Sequence, residues 1–549
     1  MELVEIRDLD GPNMFMLQPA IKIEFLIDSH DATAESIAQF DARLEPLGIS
    51  DEGLTGGTGE LGALLAEVVV ALHRRVVLDP PETVWRTMDD PRHVVVAYSW
   101  NRRNVALAIA EAVADIALGS SRDVADPIGR LHAALQEPVA DDDKPLMIRD
   151  EDRSVPIVAV TGTNGKTTTS RLIAHILRTA GRRVGLSSSA GVVMDGEMVL
   201  EGDYTGPSGA RRVLTDPTID IAVLETARGG ILLRGIGYES NDVSVFTNVS
   251  ADHLGLQGID TVESLAEVKA TVLRITKPSG FAILNADDPR VRGVASTLRS
   301  SLFWITRDAD NPTVISHIAA GGRALRLVDG VVIQANGIDD EGSPLVAVEE
   351  IPITFGGRAG HMIENALSAA AASLALGVDA ATVRQGLTTF QPTAESNSGR
   401  LNVYEVDGVT VIVDYAHNEA GLAQLLSLGS SFREQGRAIT TIIGTAGDRT
   451  DDALREIGRL AGEVSERVVV KETTRYLRGR ASPAEMTEQF RAGIAAGGSP
   501  QVDVISGEIA AIDLALTGCR AGDVIAMMCI EEVTDVQRHI SEIGRPISS

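Results

Sequence analysis

Short β-branched runs and amphipathic stretches alternate along this chain, and their order predicts strands that alternate with helices. In the middle of the chain, strands are predicted at residues 157–160, 219–224, 243–248 and 281–284, with helical patterns between them. This order is typical of a parallel, doubly wound sheet. Because ligands of such sheets bind at the carboxyl ends of the strands, the side chains that follow these strands are the first candidates for function.

The pattern before this region indicates a small α/β unit. Strands are predicted at residues 2–7, 21–27 and 93–98, and helices at 59–75 and 103–117. A row of aspartates with prolines nearby then indicates a linker at 136–153.

A third pattern follows a polar break at residues 393–399 and is typical of a smaller Rossmann-like unit. Its predicted strands are 401–405, 409–414, 438–443, 468–471, 501–505 and 523–527, and its predicted helices are 420–428, 451–464, 483–496 and 508–515.

The bulk composition sets limits on size and partners. With 549 residues the chain is too long for one hydrophobic core. A net charge of −28 disfavours nucleic acid and anionic membranes as partners, because the protein would repel both over most of its surface. The acidity fits a cationic substrate, and solubility alone explains it equally well.

Cysteine usage and the N-terminus bear on location. Cys519 and Cys529 are too few for a disulfide framework or a four-cysteine zinc site. The acidic N-terminus has neither a basic region nor a long apolar run, so we expect no signal peptide. The apolar stretches are shorter than the roughly 20 residues of a membrane span. The expected location is a reducing cytoplasm.

The segment 155–169, VPIVAVTGTNGKTTT, carries the strongest chemical signal. An apolar strand ends there on a loop with two glycines, and a helix is predicted at 167–179. The N–H groups of such a loop and the positive end of the helix dipole face a polyphosphate. Lys166 is expected to neutralise the phosphates of ATP, and the Thr167 hydroxyl is expected to bind Mg²⁺. The predicted ATP-binding residues of the loop are Gly162, Thr163, Asn164, Gly165, Lys166, Thr167 and Thr168.

The usual spacing, G-x-x-x-x-G-K-[ST], would need a glycine at position 160, where this chain has Val160, so only the shorter G-x-x-G-K-T is present.

The expected fold class is α/β. We expect a small N-terminal α/β domain at 1–150, a central P-loop domain with a parallel sheet at 153–395, and a C-terminal Rossmann-like domain at 399–549.

Two further side chains follow predicted strands of the same sheet. Glu225 follows strand 219–224, and a carboxylate at this edge is suited to bind a metal. His253 follows strand 243–248 and brings an imidazole to the same edge. Either residue alone is more often a surface or hydrogen-bonded group, but both beside a phosphate loop favour a functional site.

Two later features are weaker on their own. Lys269 lies on the predicted helix 261–275, where an isolated lysine is normally a solvated charge. The segment 285–289, NADDP, follows the fourth strand and offers amides and carboxylates to a base or ribose, although an Asp-rich turn explains it equally well.

The order of these segments resembles the Mur ligase superfamily of ATP-dependent amide-bond synthetases. The segments that carry the resemblance are TGTNGKTTT, ETARGG, NVSADHLG, Lys269, LNADDP, HMIENALSAAA, GR and DYAHN. Over residues 153–540 the amino-acid sequence is similar to the ligase half of the cyanophycin synthetase family. The segment LDGPN at 9–13 resembles the first domain of that family.

The resemblance implies the activity and the roles of single residues. It implies ATP-dependent joining of a carboxylate to an amine on an amino acid or peptide, through an acyl phosphate and with ADP as a product. Lys166, Glu225, His253 and Lys269 would be catalytic. Thr167, Glu225 and His253 would bind one or two Mg²⁺ ions, and Lys269 would occupy the place of a lysine that is carbamylated in many members.

The resemblance also implies how the rest of ATP is bound. Asn285 and Asn365 would contact the adenine side, and Arg400 and Asp414 would close on the phosphates and ribose, with His417 at the same strand end. The loops 444–449 and 471–480 would face the incoming substrate. Related enzymes often assemble, so a homo-oligomer is expected.

The chain departs from the cyanophycin synthetase family in two places. That family carries an ATP-grasp domain, which adds aspartate, between its first domain and its ligase half, whereas here the linker at 136–153 leads directly to the phosphate loop. The sequence therefore suggests a separate ATP-grasp partner. Glu419 follows DYAHN where the superfamily usually has proline.

Two other interpretations stay open. An ATP-binding regulatory or partner subunit without its own ligase turnover would keep the same nucleotide-binding residues. A plain P-loop ATPase or kinase would explain residues 162–167 but would leave the third unit without a role.

Overall fold

The computed structural model describes residues 1–28, 40, 43–49, 58–120, 125–337, 342–394, 396–498 and 501–547. Over these residues the chain forms three β-sheets in sequence order, with helices packed against each of them.

The first sheet is antiparallel and has the strand order β1-β2-β4-β3. Its strands are β1 (Glu2–Leu9), β2 (Ala20–Leu26), β3 (Thr83–Thr87) and β4 (His93–Ser99), and its helices are α1 (Thr58–Arg75), α2 (Arg103–Leu118) and α3 (Ala125–Gln136). Alternate residues of a strand face the same side of a sheet. Ile21, Ile23 and Phe25 of β2 therefore form one apolar core with α1 and α2.

The second sheet has eleven strands and carries the phosphate loop. They are β5 (Ile157–Thr161), β6 (Val184–Ser188), β7 (Gly191–Met194), β8 (Glu197–Glu201), β9 (Ile221–Glu225), β10 (Asn241–Phe246), β11 (Thr276–Asn285), β12 (Ser301–Thr306), β13 (Arg323–Val328), β14 (Val331–Asn336) and β15 (Ser343–Ala347). The order is β15-β14-β13-β12-β11-β10-β5-β9-β6-β7-β8. The strands from β13 to β6 run parallel, and an antiparallel pair closes each edge.

Helices cover both faces of this sheet. They are α4 (Lys166–Thr179), α5 (Pro207–Leu214), α6 (Arg228–Leu233), α7 (Val262–Arg274), α8 (Pro289–Val294), α9 (Pro312–Ala319), α10 (Gly360–Ala375) and α11 (Ala380–Thr389). Every residue of β5 and β9 is buried, which is why these strands are continuous apolar runs in the sequence. Five of the six alanines of α10 are buried, and this helix packs beside α4.

The third sheet is Rossmann-like. Its strands are β16 (Asn402–Val406), β17 (Val409–Asp414), β18 (Ile439–Ile443), β19 (Arg467–Glu472), β20 (Gln501–Ser506), β21 (Val524–Met528) and β22 (Arg545–Pro546). The order is β20-β19-β18-β21-β17-β16-β22, parallel from β20 to β17. The helices are α12 (Glu419–Phe432), α13 (Asp451–Val464), α14 (Pro483–Gly497), α15 (Glu508–Leu516) and α16 (Val533–Ile543).

The α/β fold class predicted from the sequence is confirmed. Each predicted strand and helix is present, with shifted ends. The predicted parallel sheet is a mixed one, because hairpins that the sequence prediction omitted extend both edges. The predicted linker is not a loose connection: Asp143 is buried and accepts hydrogen bonds from Arg102 Nε (3.0 Å) and Asn104 N (2.7 Å). Among the helices in the described ranges, none has the length and apolarity that a bilayer crossing requires.

Candidate active site

The phosphate loop connects β5 to α4, and its two glycines are held in close contact with neighbouring side chains. Gly162 has φ +149°, and a Cβ atom there would lie 1.9 Å from Thr247 Oγ1. Gly165 has φ +84°, and a Cβ atom there would lie 2.2 Å from Asn365 Oδ1. Gly165 is also the N-cap of α4, so the first N–H groups of this helix are directed at the loop.

The segment after β10 fixes the shape of the loop. Thr163 N donates to Asn248 O (2.8 Å), and Asn164 N donates to Asn248 Oδ1 (2.9 Å). Thr163 Oγ1 donates to Ser250 O (3.2 Å). The phosphate loop is therefore held by the edge of the sheet from which His253 also extends.

Two lysines hold the carbonyl groups of the loop. Lys166 Nζ donates to Thr163 O (2.8 Å), and Lys269 Nζ donates to Gly162 O (2.7 Å). Lys269 is buried on α7. Its burial, and next the charge of Lys166, lowers the pKa of the Lys269 ammonium group to about 7. This contact places Lys269 directly beside the phosphate loop.

Thr167 and Glu225 meet at the carboxyl ends of β5 and β9. Thr167 Oγ1 donates to Glu225 Oε2 (2.9 Å), and Ser189 N donates to the same carboxylate oxygen (3.2 Å). Both Thr167 and Glu225 are buried. A hydroxyl and a carboxylate are the hard oxygen donors that Mg²⁺ prefers, so these residues fit that ion. In the described part of the chain, no three His, Cys, Asp or Glu side chains converge to hold a metal by themselves.

His253 contacts Asp448 of the third domain. It has φ +52°, and its Nδ1 lies 3.1 Å from Asp448 Oδ2, across the boundary between the second and third sheets. Asp448 also accepts a hydrogen bond from Arg478 (2.6 Å). Burial opposes the charge on Asp448, but His253 and Arg478 outweigh it and lower the pKa of this carboxyl.

Asp252, which the sequence prediction omitted, is the centre of the contact between the two sheets. Its Oδ1 lies 2.8 Å from Arg449 NH1 and 3.9 Å from both His417 Nε2 and His253 Nε2. Burial raises the pKa of Asp252, but the charges of His417 and Arg449 dominate and lower it overall. Burial lowers the pKa of His417 to about 4.

Polar atoms without hydrogen-bond partners are concentrated at this point. Asp252 Oδ1 and Arg449 NH1 are close enough to attract each other, but they are not aligned for a hydrogen bond. Ser250 Oγ and Asp448 Oδ1 are also buried without a partner. Buried polar groups are normally satisfied, so this cluster fits the polar groups of a ligand or ordered water.

A reciprocal amide pair connects the phosphate loop to the third sheet. Asn164 Nδ2 donates to Asn418 Oδ1 (3.3 Å), and Asn418 Nδ2 donates to Asn164 Oδ1 (3.2 Å). Asn418 is fully buried and also caps α12 by accepting from Gly421 N (2.8 Å). Sequence reasoning included the DYAHN segment but not this residue.

Arg400 precedes β16 and Asp414 ends β17, and both side chains face the phosphate loop. The Arg400 guanidinium carbon lies 4.5 Å from the centre of the Tyr415 ring. Asp414 Oδ2 accepts from Leu401 N (2.8 Å), and burial raises the pKa of this carboxyl.

The predicted adenine-side residues are near each other. Asn285 Nδ2 donates to Thr247 O (3.0 Å) and, more weakly, to Glu364 Oε2 (3.4 Å). Asn365 accepts from Thr169 Oγ1 (3.3 Å) and packs on Gly165. Burial raises the pKa of Glu364 to about 7, although Arg307 Nε lies 2.9 Å from its Oε1. Glu364 is a third residue that the sequence prediction omitted, after Asp252 and Asn418.

These groups surround one cavity of ≈ 260 Å³ between the second and third sheets. The predicted residues in its lining are Thr163, Asn164, Gly165, Lys166, Thr167, Thr168, Asn365, Arg400, Asp414 and His417. Five other predicted residues lie outside the lining and contact residues that support it: Gly162, Glu225, His253, Lys269 and Asn285.

The two loops predicted to face the incoming substrate, 444–449 and 471–480, differ in their contacts. In the loop 444–449, Thr445 Oγ1 donates to His417 O (2.7 Å), and Asp448 contacts His253. In the segment 471–480, the assignment of Lys471 to a loop that faces substrate is wrong. Lys471 lies in β19, fully buried, where its Nζ is 3.0 Å from Glu508 Oε1 and 2.9 Å from Glu531 Oε2.

Two family models match this part of the chain. The Mur ligase middle domain matches residues 160–373, and the Mur ligase glutamate ligase domain matches residues 399–529. The chain belongs to the Mur ligase superfamily. Both matches lie after the first sheet and together contain every predicted site residue.

Similar proteins agree with this assignment. The cyanophycin synthetase of Synechocystis sp. is 43% identical over 321 residues, which cover 58% of this chain and 36% of that protein. The chain thus spans about a third of the length of such relatives. A UDP-N-acetylmuramoyl-L-alanyl-D-glutamate–2,6-diaminopimelate ligase of Chlorobaculum tepidum is 25% identical over 399 residues, 70% of this chain and 74% of that protein.

A solved structure shows the same fold at lower identity. The bifunctional folylpolyglutamate synthase/dihydrofolate synthase with Mn, AMPPNP and L-glutamate bound is 20% identical, covers 70% of this chain and 89% of its own, and has a TM-score of 0.52.

Proposed function

We propose that this chain is an ATP-dependent ligase that joins a carboxylate to an amine on an amino acid or peptide, with ADP and phosphate as products. The observation that carries the proposal is the contact of Thr167 with Glu225 beside a phosphate loop, next to a cavity that the third domain also lines. Relatives of the chain are named as ligases or synthetases, which supports the same reaction class.

The phosphate loop and its helix would hold the triphosphate. The N–H groups at the start of α4 and the Lys166 ammonium would neutralise its charge, while Asn365 and Asn285 would lie toward the base. Arg400 and Asp414 would close this end from the third sheet. The Mn and AMPPNP bound to the folylpolyglutamate synthase are consistent with a nucleotide and a divalent metal at this fold.

Thr167 and Glu225 would hold Mg²⁺, and His253 is proposed as a further ligand. Lys269 is proposed as a group that supports the metal site. The ion would offset the negative charge that builds up as the phosphoryl group moves. Asp448 contacts His253 and would orient its imidazole ring.

The chemistry requires both activation and exclusion of water. A carboxylate does not condense with an amine in water, so the γ-phosphoryl group would be transferred to the carboxylate oxygen to give an acyl phosphate. The amine would then attack the acyl carbon and phosphate would leave. Since an exposed acyl phosphate hydrolyses, the Asn164–Asn418 and Asp252–Arg449 contacts would keep the two domains closed during this step.

The first experiment measures phosphate release from Mg·ATP across a panel of amino acids and short acidic peptides, with product masses determined in parallel. We expect release that depends on one carboxylate plus one amine, together with the mass of the amide. Lys166→Ala is expected to lower kcat by about 10²-fold or more, because it removes a charge that stabilises the transferring phosphoryl group.

Lys144→Ala is the matched control, because Lys144 is exposed and lies outside the cavity. Tight ATP binding with no release under any substrate pair would contradict ligase activity and favour the regulatory-subunit interpretation. Normal turnover of Lys166→Ala would contradict the assigned site.

A further inference from the structure

Two contacts of the first-sheet domain with the second domain lie on segments that carry or adjoin predicted site residues. At the first, Asp10 N donates to Arg234 O (2.8 Å) and Ile236 N donates to Pro12 O (2.7 Å). A Cβ atom on Gly11 would lie 1.9 Å from Ile236 O, so the two backbones are in direct contact. Arg234 follows α6, the helix that begins at Arg228.

The second contact is made by one carboxylate, Asp89, in the turn between β3 and β4. Asp89 Oδ2 accepts hydrogen bonds from Asp260 N (2.6 Å), Thr261 N (2.9 Å) and Thr261 Oγ1 (3.2 Å). Asp89 Oδ1 accepts from Ser264 Oγ. All these donors lie at the N-terminus of α7, so Asp89 caps a helix of another domain.

A carboxylate is well suited to this position. Thr261 already caps α7 by accepting from Ser264 N (3.1 Å), and the N-terminus of a helix attracts negative charge. Burial raises the pKa of Asp89, but its bonds to Ser264, Asp260 and Thr261 outweigh this and lower the pKa. The carboxylate is therefore held in its charged form against the helix.

Apolar packing reinforces the contact. Met88 lies 3.1 Å from the position that a Cβ atom on Gly258 would occupy, and Gly258 has φ +71°. Met88 belongs to one apolar cluster with Val249, Ile259 and Leu265 of the second domain. The residue before Asp89 thus packs on the active-site segment itself.

The elements held in this way carry functional residues. Helix α7 carries Lys269, which holds Gly162 of the phosphate loop. The segment 247–260 before α7 contains Asp252 and His253. From its other side, Arg228 donates to His253 O (2.7 Å) and to Gln257 Oε1 (2.8 Å).

We infer that Asp89 is a positioning residue of the active site: from the first domain it caps α7 and fixes the segment 247–260, and so places Lys269, Asp252 and His253. Asp89 touches none of these residues and acts through the helix and the segment. The expected change in kcat rests on the proposed function. The expected change in hydrogen exchange does not.

Hydrogen exchange tests the structural consequence without any substrate. In Asp89→Ala, the amides of Asp260 and Thr261 lose their acceptor, and we expect faster exchange there and across 248–259. Exchange in the third sheet is expected to match the wild type, which would show that the variant is folded. Asp90→Ala is the matched control, because the Asp90 side chain is hydrogen-bonded to Arg92, in its own domain.

Turnover tests the functional consequence. We expect Asp89→Ala to lower kcat by about tenfold, because small displacements of catalytic groups cost large factors in rate. Asp89→Asn keeps a side-chain oxygen that accepts from the helix N–H groups, so it is expected to recover most of the activity and of the exchange protection. Ser264→Ala removes one donor, and its effect is expected to be absent in an Asp89→Ala background.

The outcomes separate the inference from the proposed function. Exchange at 248–261 that is equal in Asp89→Ala and Asp90→Ala overturns the inference, whether or not the wild type turns over. Faster exchange together with a kcat equal to that of Asp90→Ala also overturns it. A wild type that turns over no substrate contradicts the proposed function alone, since the exchange result still decides whether Asp89 fixes this segment.

Discussion

At the scale of single residues, Gly165 shows how closely the phosphate loop is packed. We expect Gly165→Ala to abolish measurable ATP binding, because the new methyl group would lie 2.2 Å from Asn365 Oδ1 at φ +84°. Gly181, just beyond the end of α4, has a similar φ of +77° but no heavy atom within 4 Å of a Cβ position. Gly181→Ala thus carries the same backbone strain without the clash.

Titration calorimetry with ATP compares the two glycine variants. Gly181→Ala is expected to bind ATP as the wild type does, at a cost in stability of roughly 1 kcal/mol. Equal ATP affinity in both variants would show that the contact between Gly165 and Asn365 does not shape the nucleotide site.

Lys269 predicts a pH dependence of stability. Its burial lowers its pKa from 10.5 to about 7, whereas in the unfolded chain it keeps its proton up to about pH 10. Between these values the unfolded state binds more protons than the native state, so the free energy of unfolding rises with pH through this window. Below pH 7 both states are protonated, and the unfavourable contribution is fully present.

Lys269→Met is expected to lack this rise. Denaturant unfolding of the wild type and the variant from pH 6 to pH 10 gives the difference in their free energies of unfolding. We expect the wild type to gain on the variant by up to about 1.4 kcal/mol per pH unit between pH 7 and pH 10. A difference that stays constant with pH would contradict a lowered pKa.

At the scale of helices and strands, the sequence predicted what local pattern controls. The buried strands β5 and β9 are continuous apolar runs; Thr167 lies just after the loop that follows β5, and Glu225 ends β9, so their meeting at one sheet edge was predictable. The strands β14 and β15 were omitted, because short, partly exposed segments at the edge of a sheet give weak patterns.

Contacts between elements that are far apart in sequence could not be predicted in this way. Asp89 lies 171 residues before Asp260, and Asn164 lies 254 residues before Asn418. Nothing in the local pattern around Asp252 distinguishes it from an exposed aspartate, and its role depends on the docking of the third sheet. The neighbouring His253 was predicted because its imidazole, like the Glu225 carboxylate, follows a predicted strand of the sheet that carries the phosphate loop, whereas Asp252 was not singled out.

At the scale of the whole molecule, three layers of contact meet at the segment 247–260. The first domain caps the helix that follows this segment, the phosphate loop bonds to Asn248, and the third domain reaches it through Arg449 and Asp448. Arg449 is buried at the last of these contacts, and only 13% of the Asp252 side chain is exposed, so removal of one partner leaves the other poorly compensated. Closure of the third domain therefore depends in part on this ion pair, beside the edge-to-face contact of Phe355 with Phe432.

Arg449→Met removes the main positive charge beside Asp252 and keeps much of the apolar stem. We expect the third domain to separate from the second, which would increase the radius of gyration in solution scattering. We also expect kcat to fall by about tenfold or more, because water enters the site.

Arg455→Met is the matched control: Arg455 forms an exposed ion pair with Asp452 on α13, and such pairs contribute little. Asp252→Asn in the Arg449→Met background is expected to restore closure, because it removes the uncompensated charge. A compact Arg449→Met protein with wild-type turnover would show that the ion pair does not hold the domains together, and closure would then depend on the Asn164–Asn418 amide pair and on apolar packing such as that of Phe355 with Phe432.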